Sequence, residues 1–501
     1  RFRNMIKIYI HSISAVYQGY VFVSCCILFF IIYRGSKERR LRLPPGPSFL
    51  YIMVALPRLI QNPERTIRHW CAQYGPLVTV RLFNRNIVYL NTQETIKAAF
   101  LKHKLAGRPQ LFFFSQLTEG FGLSTRDYSD DFKVIKRFGM QVLKMTNFED
   151  LAVFEARQCM EHLRRNTGKP CDLKTYIYNF TGNIISKTLF NTRFEYDDCE
   201  FRKVLLASER SLGIPEHSNA IKALLLFGWL RFIPPFTKVN KDFLKNQSSV
   251  LQFIEQHIQD HRIKFDSDKL SDFIDEYLYE QRLKGEKSIS FEDKQLVMYL
   301  RDLFAAGIET TSNTIQWAIL ALLYYPEYAE LIYGEIYKAF GSTGVPSMKD
   351  RGKLPLTCAF IQEIMRFRTL APSGAPHRAV ERTELNGYDI PPGTIVLANL
   401  WALHNDPQIW PEPQNFDPQR HIDIDGNFVP SHNILPFSVG SRYCMGEKIA
   451  KTEIFIFLVS FLQNFTVHRD PSFQWPREME EVVMSALCCP HRYRVVLHNR
   501  N

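Results

Sequence analysis

The sequence lacks the cysteine patterns of a disulfide framework or a zinc site. Its ten cysteines are scattered, with no CxxC pair and no regular spacing of Cys and His. Small disulfide-rich domains and zinc modules carry their cysteines at short, recurring spacings. We therefore exclude both classes and expect a reducing compartment, in which most of these thiols act as small buried hydrophobes.

Internal repeats, low-complexity tracts and a strong charge imbalance are also missing. The 501 residues are 46% hydrophobic and 23% charged, an ordinary globular balance that allows a large buried core. Lys and Arg exceed Asp and Glu by 62 to 51. This mild excess does not by itself select nucleic acid, an anionic membrane or an acidic protein as partner.

One uncharged apolar run, Ile13 to Tyr33, is long enough to cross a bilayer as a helix. More basic residues follow this run than precede it, which favours a cytosolic position for the rest of the chain. A signal peptide is an alternative, but no small-residue cleavage site follows. A mitochondrial presequence is another, because no acidic residue precedes Glu38, although the run is too apolar for an amphipathic transit helix. We predict a transmembrane anchor.

The proline-rich segment Leu43 to Pro47 marks a boundary, because its prolines cannot continue a helix. We predict an anchor and basic linker over residues 1–43 and one globular domain over residues 44–501. Alternating apolar and polar residues predict strands in Leu77–Leu90 and in Leu385–Ala398, while helical periodicity dominates elsewhere. The expected fold class is mainly α with a minor β-sheet.

A glycine-bracketed loop ending in CMG places a thiol at the start of a predicted helix. Backbone N–H groups and the helix dipole there favour the thiolate of Cys444, the form that binds metals. Gly440 and Gly446 lack a Cβ and so allow a flat ligand to approach the backbone. Arg442 is a fixed cation for an acidic group of that ligand. The alternative is a buried structural cysteine after a turn.

The pattern FxxGxRxCxG in this loop resembles the haem-binding loop of the cytochrome P450 family. The resemblance implies that the Cys444 thiolate is the axial ligand of a haem iron. It further implies that Arg442 contacts a haem propionate and that Phe437, Gly440 and Gly446 lie against the cofactor.

A second motif, ExxR, places Glu363 and Arg366 on one face of a predicted helix. Such a pair is common on any surface helix, but the family has an ExxR helix at about this separation before its Cys loop. The resemblance implies a structural triad with Arg420 from a later segment. That segment usually reads Pro-Glu-Arg-Phe, so Gln419 and His421 depart from the family pattern.

The third motif, AAGIETT, lies in a long helix predicted from a capping box at Ser290 to about Leu323. A glycine, a carboxylate and hydroxyls within a helix run against local propensity, as functional sites often do. The motif resembles the family's oxygen-activation sequence AGxETT. The resemblance implies that Glu309 and Thr310 organise water and deliver protons to dioxygen, with Ala306 and Gly307 leaving room beside the haem.

Two further positions follow from the resemblance alone. His377 matches a strand residue that contacts a propionate, although a lone histidine is also common in a core or on a surface. Phe132 and Lys136 occupy the Trp and Arg positions of a WxxxR helix. Because Phe lacks the indole N–H and Lys lacks the guanidinium fork, a weaker propionate contact is expected.

The stretch DLFAAGIETTSNTIQWAIL most resembles the animal microsomal family-2 branch. This resemblance implies a haem b monooxygenase in the endoplasmic reticulum membrane, facing the cytosol, with NADPH electrons from a cytochrome P450 reductase, with or without cytochrome b5. The apolar candidate pocket residues suggest a fatty acid, steroid or xenobiotic, and no nucleic acid is implied. These residues are Phe112, Phe113, Phe114, Phe304, Ala305, Leu370 to Ala375 and Ser485 to Leu487.

Two other functions remain as alternatives. One is an oxygen-independent isomerase or dehydratase of lipid hydroperoxides on the same haem, against which the presence of Glu309 and Thr310 argues. The other is a non-enzymatic membrane haem carrier or sensor.

Overall fold

A computed structural model describes residues 41–82, 85–110, 117–211, 217–285, 289–484 and 486–500. The predicted anchor over Ile13 to Tyr33 lies outside these ranges. None of the helices within them is both long and apolar enough to span a bilayer.

The described chain is mainly helical, which confirms the expected fold class. The helices are α1 Phe49–Gln61, α2 Pro63–Tyr74, α3 Gln93–Phe100, α4 Asp130–Met145, α5 Phe148–Arg164, α6 Leu173–Phe190, α7 Cys199–Ser211, α8 Ser218–Leu226, α9 Phe236–Lys264, α10 Phe273–Lys284, α11 Asp293–Tyr324, α12 Pro326–Phe340, α13 Pro355–Phe367, α14 Leu400–His404 and α15 Glu447–Asn464. Short 3-10 turns connect several of them.

The β-structure is divided into small sheets. The strands are β1 Leu77–Leu82, β2 Arg85–Leu90, β3 Pro170–Cys171, β4 His377–Arg378, β5 Thr383–Leu385, β6 Tyr388–Ile390, β7 Ile395–Ala398, β8 Phe465–Arg469, β9 Glu481–Met484, β10 Leu487–Pro490 and β11 Val495–Asn499. The largest sheet has the order β1-β2-β7-β4, with β2 and β7 parallel and the other pairs antiparallel. Both predicted strand regions are confirmed.

Helix α11 runs through the middle of the core and packs against α6 and α15. Its apolar residues, such as Trp317 and Leu320, are fully buried on almost every side. The predicted capping box at Ser290 is wrong. Ser290 lies in a 3-10 turn before α11, and its hydroxyl donates instead to Asp131 Oδ1 at 2.6 Å.

The apolar stretch Leu224 to Phe236 forms the end of α8, a 3-10 turn and the start of α9. Trp229 is 60% exposed and Phe232 72% exposed. Both aromatic side chains therefore lie on the surface. On α1, Leu50 and Val54 are also largely exposed and share one helix face.

Candidate active site

The Cys444 loop closes on itself just before α15. The backbone N–H of Cys444 donates to the Phe437 carbonyl at 2.9 Å, and α15 begins three residues later with Gly446 as its N-cap. The side chain of Cys444 is accessible. Burial raises the pKa of the thiol, whereas the Gly446 N–H and the charge of Lys136 act to lower it. The cysteine thus stands at a helix N-terminus, as predicted from the sequence.

The two glycines of the loop have different surroundings. Gly440 has φ +79°, and a Cβ there would lie 2.0 Å from the Phe100 carbonyl oxygen at the end of α3. The glycine is therefore required by the close approach of α3, which the sequence did not indicate. Within the described ranges, a Cβ on Gly446 would meet only Cys444 Sγ within 4 Å, at 3.9 Å. This leaves space beside the thiol.

Arg442 is buried and extends away from the thiol toward backbone carbonyls. Its guanidinium lies 3.6 Å over the ring of Phe132, at the position where the family has Trp. Phe132 therefore holds the arginine by cation–π contact without needing an indole N–H. The guanidinium donates to the carbonyls of Ala106 at 2.8 Å, Leu123 at 3.3 Å and Arg126 at 2.7 Å.

Lys136 differs from the expectation for a propionate ligand. Its ammonium donates to the carbonyls of Ser441 at 2.7 Å and Tyr443 at 3.2 Å. It also lies 4.1 Å from the Tyr443 ring centre. In this structure Lys136 thus ties α4 to the backbone of the Cys444 loop, because a compact ammonium fits between carbonyls that the planar guanidinium of Arg would not match.

Several cations meet beside this loop. Burial lowers the pKa of Arg108 to about 10, and burial together with the charge of Arg108 lowers that of Arg442 to about 9. Burial, Arg442 and Arg108 lower the pKa of Lys136 to about 8. Acidic groups of a ligand would relieve this mutual repulsion.

His377 lies in β4 and stacks on Phe100, with ring centres 3.8 Å apart. Its Nδ1 is 3.0 Å from the Leu105 carbonyl and so carries the proton of the neutral ring. Burial, followed by the charge of Arg108, lowers the pKa of His377 well below its usual value. A contact with a carboxylate would require Nε2 to take up a proton as well.

The AAGIETT motif presents two different faces of α11. Ala306 is exposed and Thr310, one turn later, is half-buried on the same face. The Thr310 hydroxyl donates to the Ala306 carbonyl at 2.8 Å. By contrast, a Cβ on Gly307 would lie 2.5 Å from Ile185 of α6, so Gly307 permits helix packing rather than space beside a ligand.

Glu309 points toward α6 and is 1% exposed. Tyr178 of α6 donates its hydroxyl to Glu309 Oε2 at 2.7 Å. Burial raises the pKa of Glu309 to about 8, with Tyr178 opposing the shift. The carboxyl is consequently protonated near neutral pH and lies on a different helix face from Thr310.

Glu363 is the centre of a buried polar cluster. Arg366 donates two hydrogen bonds to it, at 2.7 and 2.8 Å, and both side chains are fully buried. Arg420 donates at 3.2 Å, as the triad predicts. His421, a departure from the usual pattern, adds a further bond from Nε2 at 2.9 Å.

A family model of cytochrome P450 matches residues 44–496. The chain belongs to the cytochrome P450 family. It is similar to cytochrome P450 2C5 of Oryctolagus cuniculus, with 31% identity covering 94% of this chain and 97% of that protein. It is also similar to cytochrome P450 2C16 of the same species, at 32% identity and 88% and 91% coverage, and to cytochrome P450 2U1 of Bos taurus, at 30% identity and 91% and 89% coverage. The protein is therefore a cytochrome P450 monooxygenase.

The residues present fit the haem that this family carries. An accessible thiol at a helix N-terminus suits an iron ligand, and the repelling cations beside it suit two propionates. Cys444 would hold the iron, and Arg108 and Arg442 would hold the propionates. The sequence alone did not indicate Arg108, because nothing in the segment GRP distinguishes it from a surface arginine.

The P450 pocket residues expected from family position are only partly described. Phe112 to Phe114 and Ser485 lie outside the described ranges. Phe304 is fully buried between Phe190 and Phe253, with ring centres 6.1 and 5.7 Å away. It therefore belongs to the core beneath α11 rather than to the face of Ala306 and Thr310.

Proposed function

We propose that this P450 inserts one oxygen atom of O₂ into a lipophilic small molecule and reduces the other to water. Its electrons would come from NADPH through a separate membrane reductase, with or without cytochrome b5. The observation that carries the proposal is the accessible Cys444 thiol at the start of α15, together with the acid and hydroxyl of Glu309 and Thr310 on α11. When bound, the haem supplies oxygen activation and transfer.

The chain's own residues have defined tasks in this proposal. Cys444 binds the cofactor as thiolate, and Arg108 and Arg442 neutralise its acidic groups. Glu309 stores a proton on its carboxyl, whose pKa of about 8 suits a general acid near neutral pH. Thr310 accepts that proton and passes it on. Ala306, exposed beside Thr310, leaves space for the cofactor and the substrate.

The apolar surface of the domain supports a lipid-partitioning substrate. Leu50 and Val54 are about four-fifths exposed, and Trp229 and Phe232 follow α8, which contacts α1. We propose that both patches face the endoplasmic reticulum membrane, anchored by residues 1–43, with the haem-thiolate domain of residues 44–501 in the cytosol. Vesicles of brominated phosphatidylcholine should quench part of the tryptophan fluorescence. The quenched part should be missing in Trp229→Phe, and equal quenching in both proteins would contradict this orientation.

The reaction is tested with the purified holoenzyme, reductase and NADPH on a panel of fatty acids, steroids and xenobiotics under ¹⁸O₂. We expect a product carrying one ¹⁸O atom, formed only when reductase and NADPH are present. A product formed from a lipid hydroperoxide without NADPH would support an isomerase instead. Cys444→Ala should lose the thiolate-type Soret band of the reduced CO complex.

A further inference from the structure

A polar cavity of about 80 Å³ lies on the side of α11 away from Thr310. Six residues that line it are Lys174, Glu209, Asn313, Gln316, Cys489 and Tyr493. Lys174 and Glu209 form an ion pair across it, and both are only partly buried. The cavity has room for several water molecules, and these polar side chains offer them hydrogen-bond partners within a largely apolar lining.

Several residues that line this cavity act on Glu309. Asn313, which lines it, donates to the Glu309 backbone carbonyl at 2.7 Å. Burial raises the pKa of Cys489 to about 12, and the next largest contribution is the charge of Glu309. The charges of Glu209 and Lys174 also act on Glu309. Glu309 is therefore within electrostatic reach of three residues that line the cavity.

Tyr178 contacts both a residue that lines the cavity and the carboxyl of Glu309. Its hydroxyl donates to Glu309 Oε2, and Lys174 Nζ lies 5.3 Å above its ring. The charges of Glu309, Glu209 and Cys489 all act on its phenol. Tyr178 is 5% exposed, so a proton from bulk solvent can reach its hydroxyl only by way of neighbouring groups.

Among the described residues, no hydrogen bond to the second oxygen of Glu309 is formed. Oε1 is buried without a hydrogen bond, and so is the hydroxyl of Ser208 on α7. The Ser208 hydroxyl is close enough to lower the pKa of Glu309. Two buried polar atoms that face each other in this way are typically bridged by water.

We propose that the polar cavity is the entrance through which solvent protons reach Glu309, with Tyr178 as the positioning residue at its inner end. When Glu309 is a carboxylate, a water in the cavity that has taken up a proton from solvent gives that proton to the Tyr178 oxygen while the phenolic proton passes to Glu309 Oε2, and a neutral water remains. One proton is transferred and Tyr178 is left neutral. The protonated Glu309 side chain then rotates about its own torsions toward Thr310, whose side chain leaves α11 about 100° away. This inference rests on the proposed function.

The alternative is that the bond between Tyr178 and Glu309 only joins α6 to α11. A structural bond and a proton path predict different behaviour when the hydroxyl alone is removed. Tyr178→Phe keeps the ring and its packing. Tyr277→Phe is a matched control, because Tyr277 is a fully buried tyrosine of α10 whose hydroxyl donates to the Glu292 carbonyl at 3.0 Å, away from Glu309.

The direct test is the rate at which the Glu309 carboxylic acid exchanges hydrogen for deuterium, followed by infrared spectroscopy in the full-length holoenzyme. The acid band is assigned by its loss in Glu309→Gln. We expect exchange to be roughly tenfold slower in Tyr178→Phe, the factor that corresponds to one hydrogen bond of ordinary strength. Glu209→Gln, at the ion pair, should slow it less, and Tyr277→Phe should match the wild type. Equal exchange in Tyr178→Phe and the wild type would overturn the proposal.

Turnover provides a second readout. With NADPH and reductase, Tyr178→Phe should form less product and more hydrogen peroxide per NADPH, with a larger solvent isotope effect. Turnover driven by added hydrogen peroxide, which brings its own protons, should stay unchanged. An equal fall in both kinds of turnover would indicate a structural role and contradict the proton path. If the wild type forms no NADPH-dependent product, the proposed function fails, while the exchange rates still decide whether the cavity admits protons to Glu309.

Discussion

The buried cluster around Glu363 predicts that His421 stabilises the protein. Glu363 accepts five hydrogen bonds, and its Oε2 shares two of them, from Arg366 and His421. His421→Phe introduces the residue usual for the family but removes one donor from a buried carboxylate. A hydrogen bond to a charged group contributes about 1.5 to 3 kcal/mol. We expect a loss near the lower end, about 1.5 kcal/mol, because the arginines still hold Glu363 and Phe is more easily buried than His.

The assay is the urea midpoint and unfolding rate of the holoenzyme, followed by circular dichroism and haem absorbance. A loss of about 1.5 kcal/mol corresponds to roughly a tenfold change in the unfolding equilibrium. His421→Gln is the matched control, because its amide nitrogen can reach the place of Nε2, and it should recover most of the stability. The double variant with Glu363→Gln should show that the two losses are not additive.

An opposite result would refute this reasoning. Replacing whole buried ion clusters with apolar residues is often neutral or stabilising. If His421→Phe is as stable as the wild type, then Arg366 and Arg420 satisfy Glu363 fully and His421 only fills space beside Trp410.

Three further predictions concern the same loop and cluster. Gly440→Ala should abolish haem incorporation, because its Cβ would lie 2.0 Å from the Phe100 oxygen. Gly446→Ala should fold and keep its haem, because the nearest atom of the described residues would lie 3.9 Å from its Cβ. Equal haem content in both variants would contradict this. Lys136→Met should lose haem to apomyoglobin roughly tenfold faster than the wild type, because it lacks two hydrogen bonds of about 1 kcal/mol each, a loss that water partly compensates. Lys136→Arg should lose haem more slowly than Lys136→Met. Burial raises the pKa of Glu363, but hydrogen bonds from Arg366 and His421 outweigh it, so the pKa is lowered in the folded protein. The stability that Glu363 contributes is therefore present above about pH 4.3 and is lost as the pH falls through its folded pKa. The destabilisation caused by Glu363→Gln in urea should therefore shrink below pH 4, and a constant difference would count against the carboxylate.

Motifs with fixed spacing were the parts of this protein that could be predicted from sequence. The Cys444 loop, the Glu363 and Arg366 pair and the long helix α11 depend on local spacing along the chain, which periodicity and helix-end signals record. The side on which a polar group finds its partner depends on distant segments. Gly440 must be a glycine because α3 passes close to it, and Lys136 bonds to carbonyls of the distant Cys444 loop. Neither contact can be recognised from the residues that neighbour them in the sequence.

Glu309 illustrates the same limit within one motif. The sequence predicts a proton-carrying pair with Thr310, but adjacent residues on a helix point about 100° apart. Which of them faces α6 is decided by the packing that Gly307 allows against Ile185. Ser290 failed for a related reason, since its capping hydroxyl is bound by Asp131 of α4.

Because Gly307 has no side chain, α6 packs closely against α11, and α11 separates two functional groups of residues on different faces. Ala306 and Thr310 lie on one face, and Tyr178 and Glu309 meet on the other. We therefore expect substrate selection and proton delivery to evolve separately. Changes near Ala306 should alter which molecules are accepted as substrates. A bulkier residue in place of Ile185 would push α6 outward, so that more NADPH is consumed without product while the substrate preference stays the same.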